Sequence, residues 1–480
     1  MPDNILVIMS DDHARWATGC YGNADLRTPT LDHLATTGVR MANAFTPSPV
    51  CSPARACFWT GRLPSQHGVH DFLAEQDPDV AEIPWLAHET TLAQLLQRDG
   101  FVTGLSGKWH LGNPGTVPDG FDFWFSQSFP VARPHGFHSP WGEVGCDSPA
   151  YNRHLITDRA IEFLRGRPHG RPFFLFVGYI ATHSPWSGHP ERLVDSYRSC
   201  RFDDIPSDIT YPFGRPFGEA LFATRQNPKE TLAQYYAAVS EIDEQVGRLV
   251  DELDAQAERA RTLVIYTSDH GLAMGHHGLW GKGNATRPYN MLDETIRVPL
   301  IVNQPGAVLG GQTRMEPVNH CDLFMTLLEH AGTEVPDERS VVTPYPGRSF
   351  RDLCLGKPLA NWPHEMYGEY GNLRMVRTPQ HKLVRRYPDG PCELYDLAAD
   401  PRETTNLFDC PAQADLLDRL TSEIDDYFGR YEAPGRSGLG VATLPRHNAV
   451  EAWRDAGEHH LVAEPTWLRD IENLTGGADV

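Results

Sequence analysis

Four short apolar stretches of this 480-residue chain each end in a cluster of polar, chemistry-bearing side chains, and that pairing constrains the fold most. Residues 4–9 run into Ser10-Asp11-Asp12-His13, and 101–105 into Ser106-Gly107-Lys108-Trp109-His110. Residues 172–179 lead to Thr182-His183-Ser184-Pro185, and 262–267 to Ser268-Asp269-His270-Gly271. With 298–302, these runs have the length and unbroken hydrophobicity of strands buried on both faces, as in a parallel sheet. Helical periodicity lies between them, over 91–98 stopping at Gly100, 157–164, 229–253, and 322–330 stopping at Gly332. The alternation predicts an α/β fold: a large, mostly parallel sheet flanked by helices. Such sheets bind ligands beyond the carboxyl ends of their strands. Three aspartates, a lysine and several histidines should therefore meet on one rim.

The pattern changes near 362–430. Short strand-like runs at 374–377, 382–387 and 393–397 surround the turn Pro388-Asp389-Gly390, and 412–428 is an amphipathic helical stretch. A small C-terminal antiparallel sheet with a closing helix is expected. This divides the chain into a catalytic α/β domain at 1–360, a subdomain at 361–432 and a tail at 433–480 that packs on the body, with Trp453 and Trp467 as anchors. That tail could also mediate self-association into an oligomer. A net charge of -21 argues against nucleic acid as a partner, because phosphate binding needs a basic face. No run is long enough to cross a membrane, and the apolar segment at 5–9 lacks a basic leader. The 9 cysteines are odd in number and lack CxxC spacing, so a disulfide framework is not expected and a cytoplasmic location is.

Within Cys51-Ser52-Pro53-Ala54-Arg55, Ser52 as N-cap and Pro53 as first helical residue predict a helix running to Gly61. Cys51 would then precede a helix N-terminus, where free amides and the dipole favour an anion, with Arg55 one turn inside. A buried structural cysteine is the plainer alternative. Asp11, Asp12 and Asp269 could give a hard cation oxygen ligands from separate segments, although Asp-Asp in isolation usually marks a solvated turn. Lys108 and His110, two apart, would share a face in an extended stretch with Trp109 opposite. Gly107-Lys108 lacks the upstream Gly and following Ser/Thr of a Walker A loop, and no strand is followed by GxGxxG. All but five of the 42 basic residues are Arg, so Lys108, Lys229, Lys282, Lys357 and Lys382 mark places where a compact ammonium is called for, or chance. Lys282 sits between Gly281 and Gly283 in a loop that leaves it free to approach an anion. His276 and His277 are adjacent and diverge, which suits supporting structure or substrate contact rather than a shared metal. Trp109, Trp141, Trp186 and Trp280 either wall a pocket or pack in the core.

Cys51-Ser52-Pro53-Ala54-Arg55 resembles the sulfatase signature, whose Cys is oxidised after translation to formylglycine. Gly61-Arg62-Leu63-Pro64-Ser65-Gln66-His67-Gly68-Val69, Glu393-Leu394-Tyr395-Asp396-Leu397 and Asp400-Pro401 look like that family's continuation, so the resemblance covers most of the chain. Ala54 replaces the commoner Ser, and His270 stands where many members have Asn. The resemblance implies an alkaline-phosphatase-like sulfatase that hydrolyses a sulfate ester, from a sulfated carbohydrate or other small monoester, and a formylglycine-generating enzyme as partner. It further implies a divalent metal held by Asp11, Asp12, residue 51, Asp269 and His270. The ion would be Ca2+, with Mn2+ or Mg2+ open because imidazole is a softer ligand. Cys51, Arg55, Lys108, His110, His183 and Lys282 would be catalytic, and Lys108, His183, Lys282 and Asn284 would contact substrate. The hydrated aldehyde would attack sulfur, with Asp269 accepting its proton. His183 would protonate the departing oxygen, and His110 would help the second hydroxyl expel sulfate. A phosphonate monoesterase or phosphodiesterase on the same scaffold, and an unmodified anion-binding relative, are the rival readings.

Overall fold

A computed structural model describes residues 3–127, 135–139, 142–146, 149–184, 186–206, 211, 215–216, 227–336 and 342–454. Pro185 and the expected pocket or anchor residues Trp141 and Trp467 lie outside the described residues.

The expected strands are the centre of a ten-stranded sheet. Its members are β1 (Asn4–Ser10), β2 (Val39–Met41), β3 (Val102–Lys108), β4 (Phe123–Gln127), β5 (His135–Ser139), β6 (Gly142–Cys146), β7 (Phe173–Gly178), β8 (Thr262–Ser268), β9 (Leu300–Asn303) and β10 (Gln312–Arg314). Their spatial order is β10-β2-β9-β8-β1-β7-β3-β4-β5-β6. β8, β1, β7, β3 and β4 run parallel. β9 joins β8 antiparallel, so the sheet is mixed toward its edges. Hydrophobic runs report burial and carry no direction, which is why 298–302 reads the same either way.

Both faces of the central strands are covered. Ile5, Val7, Met9, Phe174 and Phe176 pack against α2 (Cys51–Thr60), α3 (Leu92–Arg98) and α6 (His320–Ala331). Leu6, Ile8, Leu175 and Val177 pack against α1 (Pro29–Thr36), α4 (Pro149–Gly166) and α5 (Pro228–Ala255). Each large apolar side chain so removed from water contributes roughly 1.5–3 kcal/mol. Two glycines allow close approach where the site is built. Gly61 closes α2 with φ 67, and a Cβ there would run into the Phe324 ring of α6. Gly107, φ 113, lies against the Gly178 carbonyl, which draws β3 and β7 together just before Lys108.

Beyond the main sheet, β11 (Met366–Tyr370), β12 (Leu373–Arg377), β13 (His381–Arg386) and β14 (Glu393–Asp396) form an antiparallel meander. It is covered by α7 (Ala414–Tyr431) through Leu420, Ile424 and Phe428. The following segment bonds back to the body: Ala433 N donates to the Ser65 carbonyl (2.9 Å) and Ala74 N to the His447 carbonyl (2.9 Å). Among the described residues no helix is long and apolar enough to cross a membrane, and the eight described cysteines are free thiols.

Candidate active site

β1 hands the chain to Asp11 and Asp12, both fully buried. Thr182 holds the Asp11 carbonyl through its amide (3.0 Å) and hydroxyl (2.8 Å), and Tyr235 donates to the Asp12 carbonyl at 3.0 Å. α2 delivers Cys51 as its first residue, 1% exposed. The helix therefore begins two residues before the position that capping by Ser52 would set. Val50 occupies the N-cap without a side-chain bond, and the Ser52 hydroxyl instead accepts the Leu73 amide at 3.0 Å.

Cys51 is the meeting point. Its Sγ lies 3.3 Å from Asp11 Oδ1, 3.3 Å from His270 Nε2 and 3.2 Å from Lys282 Nζ. Lys282 also donates to Asp12 Oδ1 (2.8 Å), and Lys108 donates to Asp11 Oδ2. Arg55 pairs with Asp269 Oδ2 through Nε and Nη2, both at 3.0 Å, and donates to the Lys108 carbonyl at 3.1 Å. His183 Nε2 is 4.0 Å from Asp12 Oδ2. Its Nδ1 lies 2.8 Å from the Ser184 carbonyl, so that nitrogen carries a proton and Nε2 faces the centre. His110 Nε2 likewise donates to the Leu73 carbonyl at 3.0 Å. Its backbone is left-handed, φ 60, so strand alternation does not govern its direction as the sequence reading assumed.

The sequence-derived residues come together unevenly. Asp11, Asp12, Cys51 and His270 bring one ligand atom each within 4.8 Å of one another. Asp269 stands beside them with its oxygens engaged: Oδ2 by Arg55, Oδ1 by the amides of Asp12 (3.3 Å) and His270 (2.9 Å). Asn284 is half-buried, and its carbonyl accepts from Arg287 at 3.0 Å. His13 turns away into the scaffold, 2.6 Å from Tyr266 Oη and 2.7 Å from the Ala17 carbonyl. His276 lies on the Trp16 ring (4.6 Å between centroids), while His277 pairs with Glu294 at 3.3 Å. Trp109, Trp186 and Trp280 belong to the apolar core. Trp109 packs on Trp59, 5.2 Å between centroids.

The donor set suits a divalent cation. His270 donates Nδ1–H to the Gly271 carbonyl at 2.9 Å, which fixes the tautomer and leaves the Nε2 lone pair toward the carboxylates. Asp12 Oδ2 is buried without a hydrogen-bond partner. Carboxylates, an imidazole and the residue-51 side chain make a mixed hard and borderline site. The electrostatics agree. Burial alone would raise Asp11, yet Lys108 and His183 hold it well below the usual carboxylate range. Burial opposes charge on Arg55, and Asp269 with Asp11 lifts it above its ordinary value. Burial and Lys108 push His110 well down, toward a neutral ring. Burial and Lys282 push His183 down, but Asp12 and Asp11 prevail and carry it up to about 9.

Two supports escape sequence reasoning. Asn290 bonds the carbonyls of Lys282 (3.2 Å) and Gly283 (3.3 Å), and His320 Nε2 bonds the Ser268 carbonyl (3.0 Å) just before Asp269. Neither lies in a motif, and both act on backbone carbonyls, which leave no trace in composition.

Comparison with known proteins gives the same picture. The Sulfatase family matches residues 3–333, and the C-terminal region of N-sulphoglucosamine sulphohydrolase matches residues 275–428. The chain is 28% identical to N-acetylglucosamine-6-O-sulfatase of Bacteroides thetaiotaomicron, covering 84% of this chain and 82% of that one. It is 30% identical to choline-sulfatase of Rhizobium meliloti, covering 85% and 83%. A structure solved with its substrate D-glucosamine-2-N,6-O-disulfate superimposes with a TM-score of 0.76 at 25% identity, covering 90% and 98%. A family match across most of the chain, joined to the convergence on Cys51, shows that the chain belongs to the sulfatases: it is a formylglycine-dependent sulfuric ester hydrolase of the alkaline-phosphatase-like superfamily.

Proposed function

We propose that this enzyme removes sulfate from a small sulfated saccharide. What carries the reading is Cys51 Sγ, 3.3 Å from Asp11 Oδ1 and 3.2 Å from the Lys282 amine, in a buried cluster where Lys108, Lys282 and Arg55 meet Asp11, Asp12 and Asp269. The names of the amino-sugar relatives support the saccharide half. Converted to formylglycine, residue 51 supplies the nucleophilic oxygen. Asp11, Asp12, Asp269, His270 and residue 51 would hold a divalent ion, Ca2+ first and Mn2+ or Mg2+ next, which when bound polarises oxygens and neutralises charge.

The remaining steps belong to the side chains. Lys108, Lys282 and Arg55 offer cations to the equatorial oxygens as charge develops, and the water-poor setting strengthens each interaction. Asp269, anchored by Arg55, orients the nucleophilic side and accepts its proton. His183 presents Nε2–H to the leaving oxygen, while His110, neutral with its Nδ1 lone pair, takes the proton when sulfate departs. Histidines with opposite charge preferences suit these opposite tasks. Asn284, two residues beyond Lys282, would meet the alcohol half. Segment 361–432 acts as a brace for the loops, and the free thiols favour a reducing, cytoplasmic setting with a formylglycine-generating enzyme as partner.

Initial rates on glucosamine 6-sulfate, choline sulfate, and matched aryl sulfate and aryl phosphonate esters test the reading. A preference for the sulfated sugar is expected. Faster turnover of the phosphonate would replace it with the monoesterase reading.

A further inference from the structure

A second concentration of positive charge lies away from Cys51, on the side of the sheet where β2 and β10 pair. Arg15, three residues beyond Asp12, donates its amide to the Arg297 carbonyl at 3.2 Å. Its guanidinium carbon sits 5.1 Å from the centroid of the Tyr21 ring, and that of Arg40 sits 5.2 Å from the same ring. Arg297 lies over Phe45 at 5.7 Å, next to Arg377 at 5.0 Å. All of this belongs to a protein of net charge -21, where a surplus of cations is unexpected.

Counter-charge is scarce there. Among the described residues neither Arg15 nor Arg40 is ion-paired with a carboxylate, and the polar partner of Arg40 is the Thr313 hydroxyl at 3.0 Å. The Nε atoms of Arg15 and Arg297 are buried without a hydrogen-bond partner, although Arg297 Nη2 donates to the Ala42 carbonyl (3.2 Å) and Asn43 Oδ1 (2.9 Å). Asp293 lies 3.7 Å from Arg297 but is already engaged by Arg377 and Lys382, each at 2.8 Å. The Tyr21 hydroxyl is spent on the carbonyls of Met41 (2.9 Å) and Leu300 (3.0 Å). Guanidinium groups do not shed their protons to relieve crowding, and a tyrosine face gives each only about 0.5–1 kcal/mol. Burial together with Arg297 and Arg40 presses Arg15 down to about 10, the sign of a cation short of an anion.

We propose that Arg15 and Arg40, backed by the charge of Arg297, form a second oxyanion site, separate from the catalytic centre, that takes a sulfate group. Planar N–H forks match the oxygens of a tetrahedral anion two at a time, which ammonium groups do not. All three side chains are half-buried, so an anion can reach them from solvent. The sulfate can be free product or a group borne on a multiply sulfated saccharide.

Crystals soaked in selenate, read by anomalous scattering, locate the site directly. Selenate is expected beside Arg15 and Arg40 as well as at Cys51. The Arg15→Gln and Arg40→Gln variants should each lose the first peak and keep the second. Selenate confined to Cys51, or a peak beside Arg15 that survives both substitutions, overturns the proposal. Kinetics then separate the sources. A KM for a multiply sulfated oligosaccharide raised roughly tenfold in Arg15→Gln, with a small aryl sulfate unaffected, assigns a substrate-borne group. Unchanged KM values with loss of the sulfate-induced rise in Tm, measured against chloride at equal ionic strength, assign free sulfate. A variant matching the parent in both measurements also overturns it.

Discussion

Three of the five lysines are buried against carboxylates: Lys108 on Asp11, Lys282 on Asp12, and Lys382 between Asp293 and Glu403, whereas Lys229 and Lys357 are exposed. In a chain otherwise furnished with arginine, Lys282 meets Cys51 with a compact ammonium, a point charge rather than a planar fork. Lys282→Ala should lower kcat/KM on a sulfate ester about a hundredfold, the scale of one lost electrostatic donor, and Lys282→Arg should restore little. Steady-state kinetics identical to the parent would remove Lys282 from the reacting centre. His183→Gln should slow esters with poor, alkyl-type leaving groups far more than 4-nitrophenyl sulfate, because only a basic leaving oxygen needs its proton. Equal losses on both would reassign His183 to positioning.

The small meander is tied to the main body by charge that has no water to fall back on. Lys382 of β13 is fully buried and donates to the Met291 carbonyl (2.7 Å), Asp293 (2.8 Å) and Glu403 (2.6 Å). Lys382→Met strands Glu403, at a cost of about 3–5 kcal/mol. Burial already lifts Glu403 from 4.5 to about 7 despite Lys382. A carboxyl raised on folding supports the native state fully below its unfolded pKa and ever less as pH climbs toward 7. The deficit of the variant, measured by urea unfolding, should therefore widen between about pH 6 and about pH 8; a constant deficit would assign the loss to packing. At this scale the sequence was informative where burial is two-sided. β1, β3, β7 and β8 show as continuous apolar runs with their polar sequels attached, so the rim was legible with its aspartates, Lys108 and His183. Shorter strands such as β2 and β11 do not show, and neither does the antiparallel direction of β9. The start of α2 was misplaced because the Ser52 hydroxyl serves the Leu73 amide, a contact made by a distant segment. His320 stayed hidden for the same reason, and Asn290 because it serves backbone carbonyls of its own loop.

Across the whole molecule, the centre draws on residues 11–12, 51–55, 108–110, 183, 269–270 and 282, so ion binding should register as global stability. Adding Ca2+ to chelator-treated enzyme at about a hundredfold above its Kd should stabilise the fold by about 2.7 kcal/mol, seen as a rise of several degrees in Tm. Asp12→Asn should shrink that rise, and a Ca2+ response equal to the parent's would move the ion elsewhere. The seating of Cys51 has a consequence of its own. With 1% of its surface exposed, beneath Lys282 and at the head of a helix pinned to the sheet, the thiol is sealed once the strands close. Whatever oxidises it must find the peptide while it is still threadlike, so the order of events during synthesis decides how much of each batch is ever competent. Late addition of a maturing enzyme to finished, unconverted protein should rescue nothing.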